Sequence, residues 1–175
     1  MLRKISFILL LTFVFPQGYN MEMVSFLSFG QNTSDITGFY QDGREFAVMG
    51  LQNAAVFVDI TDPYNPYEID RIGGNNSIWR DLKYWDRHIY IGTEASDGVK
   101  VVSVDNPDNP TLVYTISDFG NSHNIHVDAD GYLYVVGASS NDLWIYDLSF
   151  PAFPQLVGTW SGEYLHDIEV YNNKL

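Results

Sequence analysis

The sequence predicts an all-β fold made of one four-stranded unit repeated about every 44 residues. Three markers keep that period. Proline pairs occur at Asp62-Pro63-Tyr64-Asn65-Pro66, Asn106-Pro107-Asp108-Asn109-Pro110 and Phe150-Pro151-Ala152-Phe153-Pro154, their first prolines 44 residues apart each time. Turn residues Asp42-Gly43, Asp86-Arg87 and Asp130-Gly131 keep the same interval. A polar pair, Arg80-Asp81, His123-Asn124 and His166-Asp167, recurs every 43 residues. Self-similarity at such a period is the signature of arrays and propellers.

Each unit reads as four short strands. In the second unit Asp81 to Trp85 is the first strand, and Asp86-Arg87 turns the chain into Ile89 to Thr93. A loop from Ala95 to Gly98 leads to Val99 to Val104. The proline pair then forces a turn, because proline lacks the amide a ladder needs. Leu112 to Ile116 closes the unit. The corresponding third strands, Ala55 to Ile60 and Leu143 to Leu148, are rich in the β-branched and aromatic residues that pleated surfaces favour. No stretch after the leader shows sustained helical spacing with caps.

Four strands per 44 residues match the blade of a β-propeller. Blades bury both faces of each small sheet, which accounts for strands that are apolar in succession. A β-sandwich also has many short strands, but it does not require turn chemistry at a fixed period. A lead-in at 19–34 precedes units at 35–74, 75–122 and 123–163, and 164–175 opens a fourth. The expected propeller is therefore incomplete: about three blades plus the start of another, in a fragment whose Asn172-Asn173 turn lacks its return strand.

Residues 1–18 read as a secretory signal peptide. Arg3 and Lys4 precede an apolar run from Ile5 to Phe15, which Pro16 and Gly18 end. The run is shorter than the roughly 20 apolar residues that cross a bilayer. The small-residue pattern near Gly18 is poor and does not fix the cleavage point. No later stretch has membrane length, so the mature chain is expected to be secreted, without a transmembrane segment. The absence of cysteine removes disulfides and thiolate chemistry. Nine Lys and Arg against 22 Asp and Glu give a net charge of −13, which repels phosphate backbones and argues against nucleic-acid partners.

The runs Ala55-Val56-Phe57-Val58-Asp59 and Leu143-Trp144-Ile145-Tyr146-Asp147 resemble the LVIVD repeat, a propeller-forming bacterial repeat. Trp79-Arg80-Asp81-Leu82-Lys83, Ser122-His123-Asn124-Ile125 and Leu165-His166-Asp167-Ile168 are similar to the choice-of-anchor B family, as are Glu45 to Leu51 and Asp59 to Pro63. The resemblance runs from about Thr33 to Leu175. It implies secreted or cell-surface proteins whose repeats are joined to varied C-terminal anchoring signals, and it implies no particular activity.

The recurring polar pairs are the candidates for chemistry. A propeller places the first strand of each blade nearest the axis, so Arg80, Asp81, His123, Asn124, His166 and Asp167 should gather on one rim. Imidazole and carboxylate are good ligands for divalent ions, which makes His123, His166 and Asp167 candidate metal ligands. The same residues can instead fix one blade to the next by hydrogen bonds. No other cofactor is indicated, and no catalytic residue is assigned.

Ser122 and His123 are adjacent on a strand and face opposite ways, so they form no nucleophile–base pair. His88 and His126 have no periodic counterparts and read as ordinary strand residues. Asp128-Ala129-Asp130-Gly131 has the start of a calcium loop but lacks the later ligands, and it sits where every unit has its hairpin. Asn32-Thr33-Ser34 and Asn75-Asn76-Ser77 match glycosylation acceptors. The expected function is a secreted binding or scaffold module that holds an extracellular protein or polar ligand with rim loops such as Glu94 to Gly98 and Ala138 to Asp142. The alternative is an extracellular hydrolase or lyase with an axial metal. Trp79, Trp85, Trp144 and Trp160 are expected mainly between blades.

Overall fold

The computed structural model describes residues 21–139 and 142–171, so the expected leader at 1–18 and the turn at Asn172-Asn173 lie outside the described residues. Twelve strands form three antiparallel sheets of four, with no helix among the described residues. The first sheet holds β1 (Thr33–Gln41), β2 (Arg44–Leu51), β3 (Ala54–Asp59) and β4 (Tyr67–Gly73). The second holds β5 (Arg80–Trp85), β6 (His88–Thr93), β7 (Val99–Ser103) and β8 (Thr111–Ile116). The third holds β9 (Asn124–Val127), β10 (Tyr132–Val136), β11 (Leu143–Asp147) and β12 (Gln155–Trp160). Each is a simple meander in chain order, and the three do not close on themselves.

Local chemistry repeats with the period. The β1–β2 and β5–β6 turns put both central residues in the left-handed region: φ is 52° and 84° at Asp42 and Gly43, and 38° and 59° at Asp86 and Arg87. Such turns match the twist of paired strands. The third hairpin is wider, and Gly131 alone takes a left-handed φ of 83° there. After each third strand one side chain caps the amide two residues on. Asp59 Oδ1 accepts from Thr61 N at 2.8 Å, Ser103 Oγ from Asp105 N at 3.2 Å, and Asp147 Oδ1 from Ser149 N at 2.7 Å. Each fourth strand then carries a bulge at the same place, leaving Ile69, Val113 and Val157 out of register.

The sheets pack face to face. On β6, Ile89 and Ile91 enter a cluster with Phe46, Val48 and Phe57 of the first sheet. Tyr90, between them, joins Val99 and Val101 in a cluster with Leu133, Val135 and Trp144 of the third. The two-residue alternation of a strand thus feeds two cores, which is why all six residues of β6 are buried. Each fully buried Val, Ile, Leu or Phe contributes roughly 1.5–3 kcal/mol. Leu27 and Phe29 cover part of the outer face of the first sheet, and Leu165, Ile168 and Val170 cover part of the third.

Burial on both faces does not extend to the fourth strands. Leu112, Val113, Tyr114, Leu156 and Val157 are all exposed. Neighbouring sheets approach at their first strands, β1 against β5 and β5 against β9, and the fourth strands lie at the opposite edge. That edge is where the apolar run in sequence fails to predict burial.

Candidate functional site

The first strands are joined by a repeated hydrogen bond. Asp35 Oδ2 accepts from Leu82 N at 2.8 Å, and Asp81 Oδ2 accepts from Ile125 N at 2.8 Å. Asn124 Oδ1 accepts from Ile168 N at 3.2 Å. Each acceptor stands one position before the residue that donates in the next unit's copy. An aspartate or asparagine therefore clamps the backbone of its neighbour at every junction. Asn124 also donates through Nδ2 to Asp81 Oδ2 at 2.7 Å.

Asp81 is 3% exposed, and Lys83 pairs with it and lies 3.8 Å from Asp35. Burial disfavours the Asp81 carboxylate and pushes its pKa up to about 6, against the downward pull of Lys83 and the Ile125 amide.

Arg80 and the two histidines share a sequence position but not a fate. Arg80 is 1% exposed, and its guanidinium turns into the sheet junction. Nε donates to Leu51 O at 2.8 Å, and Nη2 donates to Gln52 O at 3.3 Å and to Asn75 O. Three of its donors go to carbonyls at the end of β2, in the β2–β3 turn and in the loop before β5, and its burial keeps the guanidinium from the rim. Burial lowers its pKa and Asp97 opposes that shift. The backbone is close here as well: a Cβ at Gly50 would meet Ser34 Oγ at 2.5 Å and Arg80 Cβ at 3.1 Å.

His123 and His166 come together at the surface, ring centroids 3.9 Å apart and planes inclined at 50°. His123 Nδ1 lies 2.7 Å from Glu94 Oε1, and His166 Nδ1 lies 2.7 Å from Asp167 Oδ2. Trp79 stacks on His123 at 5.3 Å with planes inclined by 6°, and its Nε1 donates to His123 O at 2.6 Å. Tyr164 meets His166 edge-on at 6.4 Å. Potential ligand atoms of His123, His166 and Asp167 lie within 4.8 Å of one another. Beside them a groove of about 460 Å³ runs between Leu143, Ile145 and Trp160 on one side and Leu165 and Ile168 on the other.

The six candidate residues thus separate into two groups. Asp81, Asn124 and Arg80 fix strands and turns to one another, whereas His123, His166 and Asp167 cluster with His123 half-buried and His166 and Asp167 exposed. Sequence reading missed Asp35, whose Ser34-Asp35-Ile36 setting matches the later Asp81-Leu82 and Asn124-Ile125 steps. It also missed Glu94 as the partner of His123. Of the tryptophans, Trp144 is buried, whereas Trp79 and Trp160 are 37% and 47% exposed.

Two other sequence candidates are occupied by structure. Ser122 is fully buried and accepts from Thr93 N at 3.3 Å. Asp128 accepts from the amides of Asp130 and Tyr132 and from the Tyr134 hydroxyl, all within its own hairpin. No protein-family model matches this chain, and no curated protein matches it.

Proposed function

We propose that the chain is a secreted or cell-surface binding module. Its three sheets act as consecutive blades of a β-propeller of the LVIVD-repeat, choice-of-anchor B kind, in a ring that needs at least about four blades. One observation carries the reading. The side chains that recur at the first strands clamp the backbone of the unit that follows, while the rim beside them presents Trp79, Glu94, His123, Tyr164 and His166. A rigid scaffold with aromatic and imidazole groups at its rim is suited to holding an extracellular protein or a polar ligand. Arg80 and Asp81 are committed to the framework, which favours binding over turnover.

Export is tested by deleting residues 1–18: the truncated protein stays in the cytoplasm of the producing cell, and export at the normal level overturns the address. Binding is tested with fluorescently labelled protein on intact envelopes of the producing cells. Saturable binding weakens at least tenfold in the Trp79→Ala, Tyr164→Ala double variant, with an unchanged melting curve. Equal binding by the variant sinks the rim assignment.

A further inference from the structure

We infer that His123, His166 and Asp167 form a binding site for a divalent transition ion of the zinc class, with Glu94 orienting His123. The site rests on these side chains alone and stands whether or not the rim holds a macromolecular partner. Each imidazole has its Nδ1 beside a carboxylate oxygen at 2.7 Å. A carboxylate accepts only, so the proton of the neutral ring sits on Nδ1 and each neutral imidazole has its Nε2 lone pair for an ion. The Glu94–His123 contact is the carboxylate–histidine pairing that typically holds a metal-binding imidazole in one tautomer.

Exposure argues against a purely structural role. The His123 ring is packed under Trp79 and only 14% exposed, but the side chains of His166 and Asp167 are 63% and 69% exposed, so packing does not force His166 to 3.9 Å from it. The segment that carries them is located by Asn124, which holds the Ile168 amide. The framework thereby delivers His166 and Asp167 to the side of His123.

Bonds of about 2.0 Å to a tetrahedral ion space the ligand atoms roughly 3.3 Å apart. The ligand atoms of the three side chains now spread over up to 4.8 Å, and the exposed His166–Asp167 pair closes the gap by moving as a unit, with Oδ2 kept on Nδ1 and Oδ1 left for the ion. Two nitrogens and one oxygen select zinc, cobalt, nickel or copper over calcium and magnesium, which take oxygen ligands. Three protein ligands leave a position for water or an exchangeable group. The chain's net charge of −13 raises the local concentration of cations.

The test uses the untagged full chain, stripped with a chelator and titrated with Co²⁺. One ion per chain is expected, with the visible absorption of a four- or five-coordinate site. Quenching of tryptophan emission should accompany it and should be lost in Trp79→Phe, because Trp79 stacks on a ligand. His123→Ala and His166→Ala each weaken binding at least tenfold, and Glu94→Gln weakens it by about 10–100-fold without changing the stoichiometry. Asp42→Asn, a surface acid elsewhere, leaves binding unchanged. Failure of Co²⁺ to saturate at one equivalent, or an affinity unaltered by His166→Ala, overturns the site. If His123→Ala does not fold, the exposed His166 variant decides alone.

Discussion

Asn124 donates its side-chain amide to Asp81 Oδ2 at 2.7 Å, across 43 residues of chain, and with its own oxygen holds the Ile168 amide. The two side chains occupy the same position in successive units, so the clamp at one junction orients the clamp at the next. Asp81 Oδ2 takes both the Asn124 amide and the Ile125 backbone amide. Cooperative bonding of this kind ties the placement of the third sheet to that of the segment beyond it.

Removing the acceptor at Asp81 should therefore be costly. Asp81→Ala leaves the buried Ile125 amide and the Asn124 amide without their acceptor and Lys83 with only the longer contact to Asp35, at roughly 2–4 kcal/mol. Asp81→Asn keeps an oxygen for Ile125, as Asn124 does for Ile168, and should cost less than half as much. Urea unfolding at pH 7 measures both. Equal losses in the two variants would show that the clamp is not what Asp81 supplies.

The same carboxyl should make stability fall as pH rises across a defined window. Its folded pKa is about 6, against an ordinary value of 3.8. Between those values the unfolded chain has released its proton and the folded chain still holds it, so rising pH favours unfolding. Below 3.8 both states are protonated, and above about 6 both are ionised. The stability of the native protein minus that of Asp81→Asn should drop by on the order of 2 kcal/mol from pH 4 to pH 6.5. A difference that stays flat or rises would refute it. Asp59 acts in a separate window. Burial raises its pKa, but bonds from Thr61, Arg44 and Tyr67 outweigh that and hold it down at about 2. Its stabilising contribution is complete above 3.8 and fades as pH falls toward 2.

Arg87 is the one non-glycine at its turn position. Its φ is 59°, where Gly43 and Gly131 have 84° and 83°. A side chain is strained in that region, and glycine is not. The ion pair to Asp42 that Arg87 would give up spans 3.3 Å between exposed groups and contributes little. Arg87→Gly should raise stability by about 0.5 kcal/mol, net of the entropy glycine adds to the unfolded chain. A lowered urea midpoint at unchanged slope would mean that the ion pair outweighs the strain.

The repeat was readable because turns obey local rules. Proline pairs, Asp-Gly hairpins and capping side chains act over a few residues, and the strands of the second unit begin and end within one residue of expectation. What reaches across sheets was hidden. Arg80 resembled His123 by position, but its partners are the carbonyls of Leu51, Gln52 and Asn75, which no spacing announces. Asp35 escaped notice because Ser34 replaces the usual basic residue before it and the interval to Asp81 is 46 rather than 43. Glu94 lies in a loop between strands, where sequence period carries no positional meaning. His123, His166 and Asp167 could be nominated from residue type and recurrence, but the tautomers that free both Nε2 atoms follow only from the carboxylate contacts.

Asn124→Ala separates the framework from the cluster it places. Asn124 does not belong to the His123, His166 and Asp167 ligand set, yet it holds the Ile168 amide, one residue beyond Asp167. Losing that bond frees residues 165–170 to shift on the third sheet, where Leu165, Ile168 and Val170 pack against Tyr134, Val136 and Leu143. Hydrogen exchange at the Ile168 amide should speed up at least tenfold, about 1.4 kcal/mol of lost protection. Co²⁺ affinity should fall in the same variant although every ligand remains. Asp35→Ala breaks the equivalent bond to Leu82, between the first and second sheets, so it should cost comparable stability and leave Co²⁺ affinity intact. Equal weakening of Co²⁺ binding by both variants would mean that overall stability, and not the position of Asn124, controls the cluster.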